Sequence, residues 1–423
     1  MAVVILGLLK TEYFVNSIRK GRLLREYRSM VYLFVLLLLL ILFFHYDIIG
    51  KSKYKKQWLY IVFLLFVLIA GLRYRLGVDT TRYLYHFYHD TPNLSQLTWE
   101  DLYLGKDPLF WLINSIVFSL GGRFYVVQLL HALFVNFLLF KYLKKHSEHI
   151  YTCLLLYCVY MFTAINMEEM RASMSLVVCL FANDYILDRK WVKGFSLYII
   201  GCFFHASAVV MLIMPLFFFL RFNMFGCIAL LSAFVLGYII LPFLQDYLFI
   251  MEFNDTISEK ATKHFTGDDI EKQLNLFGYL GQLLVYIYAL IPLYMMKHRK
   301  NNESLLKLEP LLMIFLLFAM ISMNIGLIYR FTRFYVIYYI LFASEFIANL
   351  FGYNSTKLDK SLALVRSIVV TIPLFFFIAK ERFEEGTWER YHPYSSVIER
   401  SVNVEREKVF SNLGGFKTSY DEY

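Results

Sequence analysis

Long runs of apolar residues recur along most of the 423-residue chain, and polar residues are concentrated in the short segments between them. Most runs approach the roughly 20 residues that a helix needs to cross about 30 Å of hydrocarbon. Since backbone N–H and C=O groups must be satisfied inside a bilayer, such runs cross as helices. The pattern predicts an all-α fold, a polytopic transmembrane helix bundle. The predicted spans lie near residues 31–49, 58–72, 123–141, 150–166, 168–187, 223–243, 275–296, 310–328, 331–350 and 361–379.

Two further apolar regions leave the number of spans at about 11 to 13. Residues 108–121 are short for a crossing, so they either lie in the interface or re-enter the membrane. Residues 192–220 form either one long helix or a hairpin broken at Phe204 and His205. Irregular backbone at membrane depth must line protein or a wet cavity, so a break at this histidine would bear on function.

The N-terminal residues do not follow the order of a secretory signal. Residues 1–9 are apolar but too few to span, and the basic residues come after them, at 10–29. Met30 stands directly before the first full span and is a candidate start, which would make the preceding residues an upstream extension. The predicted regions are an N-terminal extension at 1–29, a transmembrane domain at 30–380 with outer loops at 73–108 and 244–274, and a C-terminal tail at 381–423.

The charges of the connecting loops predict which side of the membrane each one faces. One set of five short loops carries 16 Lys and Arg against 5 Asp and Glu, as cytoplasmic loops do. The long segments 73–108, 244–274 and 380–423 carry 14 basic and 21 acidic residues together, and we expect them on the outer face. The predicted cytoplasmic loops are 50–57, 141–149, 188–193, 297–309 and 351–360.

The composition excludes several functional classes. With 59% hydrophobic and 18% charged residues, the chain cannot cover a soluble globule with polar surface, so a soluble enzyme is excluded. The net charge of +9 is scattered over loops instead of forming a stripe, so no nucleic acid is expected as a partner. The cysteines lie in apolar stretches without a CxxC pair, and phosphate-loop, GxGxxG and HExxH motifs are missing from the sequence. We therefore expect no metal and no cofactor.

The most informative polar segment is GLRYRLGVDTTRY at residues 71–83, at the outer end of the second predicted span. Gly77 permits a sharp turn, and Asp79 is suited to cap a helix that continues through His86. A structural alternative stays open, in which the arginines extend to the interface and Asp79 only caps. The guanidiniums gathered in this segment belong to Arg73, Arg75 and Arg82.

Three other segments carry ionisable groups beside or within apolar runs. Glu168 and Arg171 are predicted to share a helical face at membrane depth, where such groups are functional or paired with each other. His205 is flanked on both sides by apolar sequence and is either a hydrogen-bonded core residue or a catalytic one. Arg330 and Arg333 begin a later span on its outer side, where extension to the interface explains one arginine more easily than two.

These four clusters fall on the predicted outer face, and arginine is common to them. Because a guanidinium presents a planar fork of donors and stays charged, it is suited to bind phosphate oxygens in pairs. We therefore expect a diphosphate on this face. Asp79 and His205 are the candidate catalytic bases, and the residue pattern does not choose between them. The predicted diphosphate-binding residues are Arg73, Arg75, Arg82, Arg171, Arg330 and Arg333, with Glu168 in support.

Five motifs, taken in order, resemble the EpsG family, a group of Wzy-like membrane proteins associated with exopolysaccharide and O-antigen polymerisation. The resemblance covers roughly Met30 to Tyr394 and implies a GT-C-like, Wzy-like bundle. The family's polar signature falls here on Arg73, Asp79, Arg171, His205 and Arg330. The motifs are the 71–83 segment, MRASMSL at 170–176, FFHASAVVML at 203–212, the Arg-led aromatic span at 330 and YHPY at 391–394.

The resemblance implies a membrane glycosyltransferase that polymerises undecaprenyl-diphosphate-linked oligosaccharide repeats at the outer face of the bacterial cytoplasmic (inner) membrane. It also implies a chain-length co-polymerase as a partner, beside the membrane lipid itself. Two alternatives stay open. A lipid-linked glycan flippase or transporter would bind the same diphosphate without cleaving it, and its polar residues would line a path across the bilayer. An O-antigen ligase would use nearly the same chemistry with lipid A core as the acceptor.

Overall fold

The computed structural model describes residues 23–98, 100, 107–250, 303–323, 328–350, 390–399 and 404–412. Throughout these residues the regular structure is helical, which confirms the predicted all-α class. They fall into two compact units. The first unit holds the described residues up to Val209 and from Ile347 onward, and the second holds those from Val210 to Phe346.

The described residues form fourteen α-helices. The first eight are α1 (Leu23–Leu42), α2 (Lys55–Gly71), α3 (Asp79–His89), α4 (Pro108–Ser119), α5 (Phe124–His146), α6 (Ile150–Tyr160), α7 (Met170–Leu187) and α8 (Trp191–Phe204). The later ones are α9 (Met224–Ile250), α10 (Glu303–Leu306), α11 (Glu309–Ser322), α12 (Tyr329–Thr332), α13 (Val336–Leu350) and α14 (Val404–Asn412).

Three described helical stretches are long and apolar enough to cross a membrane: Val31–Ile48, Phe124–His146 and Met170–Leu187. They coincide with three of the spans predicted from the sequence, and shorter apolar helices, among them α4, α6 and α8, accompany them. The protein is therefore an all-α polytopic membrane protein. The predicted spans at 275–296 and 361–379 lie outside the described residues.

Three of the helices extend into, or lie within, segments that the sequence predicts as an extension or as loops. Helix α1 begins at Leu23, so the end of the predicted N-terminal extension continues directly into the first span. Helix α9 runs to Ile250, so the first residues of the predicted loop 244–274 are helical and the rest lie outside the described residues. The predicted loop 73–108 contains α3, which confirms the helix expected through His86.

Helices α7 and α8 pack closely along their length because α8 carries glycine where α7 approaches it. A methyl group added at Gly194 would lie 2.4 Å from Ile186 Cδ1, and one at Gly201 would lie 2.8 Å from Cys179 Sγ. Small residues of this kind let membrane helices approach at backbone distance. Helix α5 packs against both α2 and α7, and α1 packs against α6. These contacts build the core of the first unit.

A buried carboxylate joins the C-terminal ends of α5 and α7. Asp184 accepts hydrogen bonds from Tyr142 Oη (3.0 Å) and Lys145 Nζ, and its Oδ2 lies 2.8 Å from His146 Nε2. Its side chain is buried, and it pairs with the exposed Lys145 and the more buried His146 at the end of α5.

Two interruptions of helical structure lie where the chain must turn. Helix α8 ends at Phe204, His205 is extended (φ −157°, ψ 121°), and a 3₁₀ helix follows at Ala206–Leu212. Of the two alternatives for residues 192–220, the chain therefore adopts the one with a break at Phe204 and His205. A π-helical turn at Ala164–Glu168 separates α6 from α7.

The segment near the C-terminus packs back onto the turn between α2 and α3. We call residues 390–399 and 404–412 the C-terminal strap. Tyr74 N–H donates to the Ser395 carbonyl (2.8 Å), and Val397 N–H donates to the Leu72 carbonyl (3.0 Å). The strap therefore supplies backbone hydrogen-bond partners to this turn.

In the second unit, α9 packs against α11. Ala233, Leu236 and Leu317 are among the residues that line a cavity of about 390 Å³ between these helices. Just before α9, Phe222 N–H donates to Glu309 Oε1 of α11 (2.6 Å).

Candidate active site

Side chains from four separate segments of the first unit meet around one buried carboxylate. Asp107 Oδ2 accepts from Arg171 Nη1 (2.8 Å) and lies 3.3 Å from His205 Nδ1. Asp107 Oδ1 accepts from the Ala206 N–H at 2.8 Å. The Arg171 guanidinium faces the Tyr83 ring, with Cζ 5.5 Å from the ring centroid. We call Asp107, Arg171, His205 and Tyr83 the Asp107 cluster.

Each residue of the Asp107 cluster lies in the first turns of a helix or directly beside a helix end. Tyr83 lies in the second turn of α3, Arg171 in the first turn of α7, and His205 in the extended break after α8. Asp107 directly precedes α4, whose first residue is Pro108. Cluster geometry therefore depends on how these four elements pack, and α8 is held on α7 by the close contact described above.

The backbone at Asp107 directs its side chain away from its own helix. Its φ of 55° and ψ of 65° lie in the left-handed region, which costs a non-glycine residue roughly 1 to 2 kcal/mol. Proline is favoured at the first helical position, so the residue before it normally caps the helix. Asp107 makes no such side-chain cap bond, and its carboxylate bonds to α7 and the α8 break instead. The strain is offset by these charge-assisted bonds.

The sequence pattern did not single out Asp107. An Asp-Pro pair before an apolar run is typical of an ordinary helix start. The pattern therefore gives no reason to assign Asp107 a function. The one available signal was a carboxylate placed directly at the beginning of the ambiguous apolar segment 108–121.

Tyr83 and Asp79 shape the surroundings of Arg171. Burial raises the pKa of Tyr83, partly opposed by the nearby Arg171 charge, so the phenol stays neutral at physiological pH. A guanidinium over an aromatic face gains about 0.5 to 2 kcal/mol. Asp79, one turn earlier on α3, lies close enough to Tyr83 and Arg171 to interact electrostatically with both.

Arg73, by contrast, is fully buried and directed at backbone. Its Nη2 donates to the Met167 carbonyl (3.1 Å), and its Nη1 donates to the Ala70 carbonyl. The side chain thus ties the end of α2 to the turn before α7. These contacts give Arg73 a structural role, and its direct contact with a diphosphate stays a prediction.

Arg75 is also buried and is held by the C-terminal strap. Its Nη1 forms an ion pair with Glu407 of α14, and its Cζ lies 4.9 Å from the Phe410 ring centroid. Tyr74 Oη donates to Glu407 Oε1 (2.6 Å), and Arg406 Nε donates to the Arg75 carbonyl (2.7 Å). Arg75 is therefore held by contacts within the protein, and its binding of a diphosphate stays a prediction.

Glu168 contacts α3 instead of Arg171. Its Oε1 accepts from the Val78 N–H (3.3 Å) at the start of α3. The prediction that Glu168 and Arg171 share a helical face is wrong, because the chain leaves the helical path at Glu169 (φ −88°, ψ 57°) between the π-helical turn and α7. Arg171 pairs with Asp107, so the alternative of a hairpin-locking Glu168–Arg171 pair is wrong as well.

The remaining predicted arginines lie in two places. Arg82 is exposed on α3, one residue before Tyr83. Arg330 lies in α12 and Arg333 directly follows it, both in the second unit. Diphosphate binding by these three stays a prediction.

No curated protein and no solved structure matches the chain. The model of the EpsG family matches residues 56–396, which is most of the chain and includes the whole Asp107 cluster. The match confirms the resemblance found in the motifs. The chain therefore belongs to the EpsG family and is a membrane protein of polysaccharide biosynthesis.

Proposed function

We propose that this protein polymerises undecaprenyl-diphosphate-linked oligosaccharide repeats by glycosyl transfer at the outer face of the bacterial cytoplasmic membrane. The observation that carries the proposal is the meeting of Arg171 and His205 on Asp107. Their side chains are 39% and 28% exposed, while that of Asp107 is 3% exposed. The Arg171 guanidinium and the His205 imidazole thus lie next to each other. The buried Asp107 carboxylate contacts both, and both side chains are partly exposed, so a substrate can reach them.

The reaction joins two lipid-linked glycans. The acceptor hydroxyl oxygen forms a bond to the anomeric carbon of the donor sugar, and the bond from that carbon to the diphosphate oxygen breaks. The lipid diphosphate leaves with the electron pair, and the hydroxyl proton passes to a base. Since negative charge develops on the leaving group, positive charge fixed in advance is the largest catalytic requirement.

Arg171 is placed to meet this requirement. Asp107 holds Nη1, and the Tyr83 ring lies against the guanidinium, so the orientation of the fork is set before substrate arrives. The other N–H groups of Arg171 then bind phosphate oxygens. Removing one preorganised donor of this kind costs about 10² to 10³ in kcat. In the proposal, Arg82, which is exposed on α3 of the same unit, adds positive charge toward the lipid diphosphate.

Two side chains are placed to accept the proton. Asp79 lies close to Arg171 at the start of α3, and His205 adjoins Asp107. A positioned base contributes on the order of 10² to 10⁴ in rate. The substrate carries its own activated sugar, so the proposal requires no nucleotide sugar as donor. In the proposal, a separate co-polymerase sets the length of the polymer.

The test is polymerisation by purified protein in liposomes that contain undecaprenyl-diphosphate-linked repeats. Wild type should give a ladder of lipid-linked products. Arg171→Ala should lower kcat by at least about 10²-fold. Arg171→Lys keeps the charge without the fork and should give an intermediate loss. Arg123→Lys is the matched control, because Arg123 is an exposed arginine just before α5.

The other functions predict different products in the same assay. Wild-type elongation by Arg171→Ala would remove this residue from the mechanism. Product formed only when lipid A core is supplied would identify a ligase, and lipid movement between leaflets without any ladder would identify a transporter.

A further inference from the structure

We propose that Asp107 is a positioning residue that fixes the tautomer of His205, so that Nε2 of His205 is the base that deprotonates the acceptor hydroxyl. The inference rests on the proposed function and selects one of its two candidate bases. It also assigns a role to a residue that the sequence pattern passed over.

The hydrogen bonds of Asp107 determine where the His205 proton is. The carboxylate is buried, and its partners include the Arg171 guanidinium and the Ala206 N–H, both of which only donate. An ionised carboxylate can only accept, so His205 Nδ1, 3.3 Å away, must carry the hydrogen. A neutral imidazole has a single N–H, so Nε2 keeps its lone pair.

The same carboxylate fixes the position of the ring. Oδ1 binds the amide of Ala206, the residue that follows the histidine, while Oδ2 contacts the ring itself. Backbone and side chain at the α8 break are thus held by one group, which is 3% exposed. The His205 side chain is 28% exposed. Since Nδ1 faces the buried carboxylate, the proposal assigns this exposure to the edge of the ring that carries Nε2.

Asp107 Oδ2 brings together the side chain that binds the leaving diphosphate and the side chain that removes the acceptor proton. Arg171 Nη1 and His205 Nδ1 both contact Asp107 Oδ2. A diphosphate bound to Arg171 therefore lies beside the ring that receives the proton. When Nε2 takes this proton, Asp107 stabilises the imidazolium, and the proton then passes to the departing diphosphate or to water.

The experiment compares Asp107→Asn, His205→Gln and the double variant in the liposome assay. An asparagine amide can donate to Nδ1 and reverse the tautomer, so Asp107→Asn should lower kcat by at least about 10²-fold with little change in KM. Because part of the effect of Asp107 acts through the histidine, the double variant should lose clearly less activity than the product of the two single losses. Losses that multiply in the double variant would overturn the proposal and leave Asp107 as a support of Arg171 only.

A second measurement needs no variant of Asp107. In protein labelled with ¹⁵N-histidine, the His205 signal, assigned by its disappearance in His205→Gln, should show a protonated Nδ1 and an unprotonated Nε2. The reverse tautomer would overturn the proposal even if Asp107→Asn failed to fold.

The two proposals fail in different ways. If His205→Gln polymerises like wild type while Arg171→Ala does not, the tautomer proposal fails, the glycosyl transfer proposal stands, and Asp79 becomes the base. If wild type forms no ladder from lipid-linked repeats, the proposed function itself fails.

Discussion

Removing the Glu407 carboxylate should release the C-terminal strap from the turn that leads into α3. Glu407 pairs with Arg75, whose side chain is 2% exposed, and accepts from Tyr74 Oη. Glu407→Ala leaves this guanidinium buried without its counter-charge. Breaking a fully buried pair costs about 3 to 5 kcal/mol.

The expected cost here lies at or just below the lower end of this range. The Glu407 side chain is 28% exposed, so water can enter and solvate Arg75 after the truncation. Stacking of Arg75 against the Phe410 ring is kept, since neither residue is changed. We expect the strap to lose about 2 to 3 kcal/mol, which corresponds to a roughly 10²-fold increase in local opening.

Hydrogen exchange measures this opening directly. The amides of Tyr74, Gly77 and Val397 are bonded between the turn and the strap, so they exchange when the strap opens. They should exchange about 10²-fold faster in Glu407→Ala than in wild type. The matched control is Glu148→Ala, which removes an exposed glutamate before α6. Equal exchange in both variants would refute a stabilising role for the Glu407–Arg75 pair.

Two further predictions use pairs of chemically identical substitutions. Gly77 and Gly121 both have positive φ (91° and 71°), but a methyl group at Gly77 would lie 2.9 Å from the Met167 carbonyl oxygen, and one at Gly121 meets no described atom within 4 Å. Gly77→Ala should therefore lower the unfolding midpoint in detergent more than Gly121→Ala; equal shifts would mean that only backbone strain matters. Asp184→Asn removes the buried carboxylate that accepts hydrogen bonds at the end of α5. Because its partner Lys145 is 53% exposed and stays solvated, the change should cost about 1 to 3 kcal/mol. Asp188→Asn, at a partly exposed side chain, should change the midpoint little, and the opposite order would contradict the burial argument.

Much of the fold follows from hydropathy along the chain. The stretch Val31–Ile48 and helices α5 and α7 lie where long apolar runs predicted spans. The prediction succeeds because the thickness of the bilayer fixes the length of apolar helix that can span it, and this length is visible in consecutive residues. The break at His205 was also foreseen as one of two alternatives. The family motifs led to the EpsG family, which the match over residues 56–396 shows.

The candidate site was foreseen only in part. Arg171 and His205 were singled out as isolated polar residues in apolar sequence, and both belong to the Asp107 cluster. Arg73 and Arg75 carried the same signal, but the structure buries them among carbonyl groups and the C-terminal strap. A charged residue beside an apolar run looks the same in sequence whether it serves a substrate or the fold.

Local pattern was thus sufficient for the class of protein, the position of most described helices and the family, since each depends on residues that are neighbours in the chain. Three-dimensional packing decided the pairing of charges. Asp107 lies 64 residues from Arg171 and 98 from His205, and Arg75 lies 332 from Glu407. No periodicity extends over such separations. Which arginine is buried against a carboxylate, and which stays open to a ligand, is settled only when the helices come together.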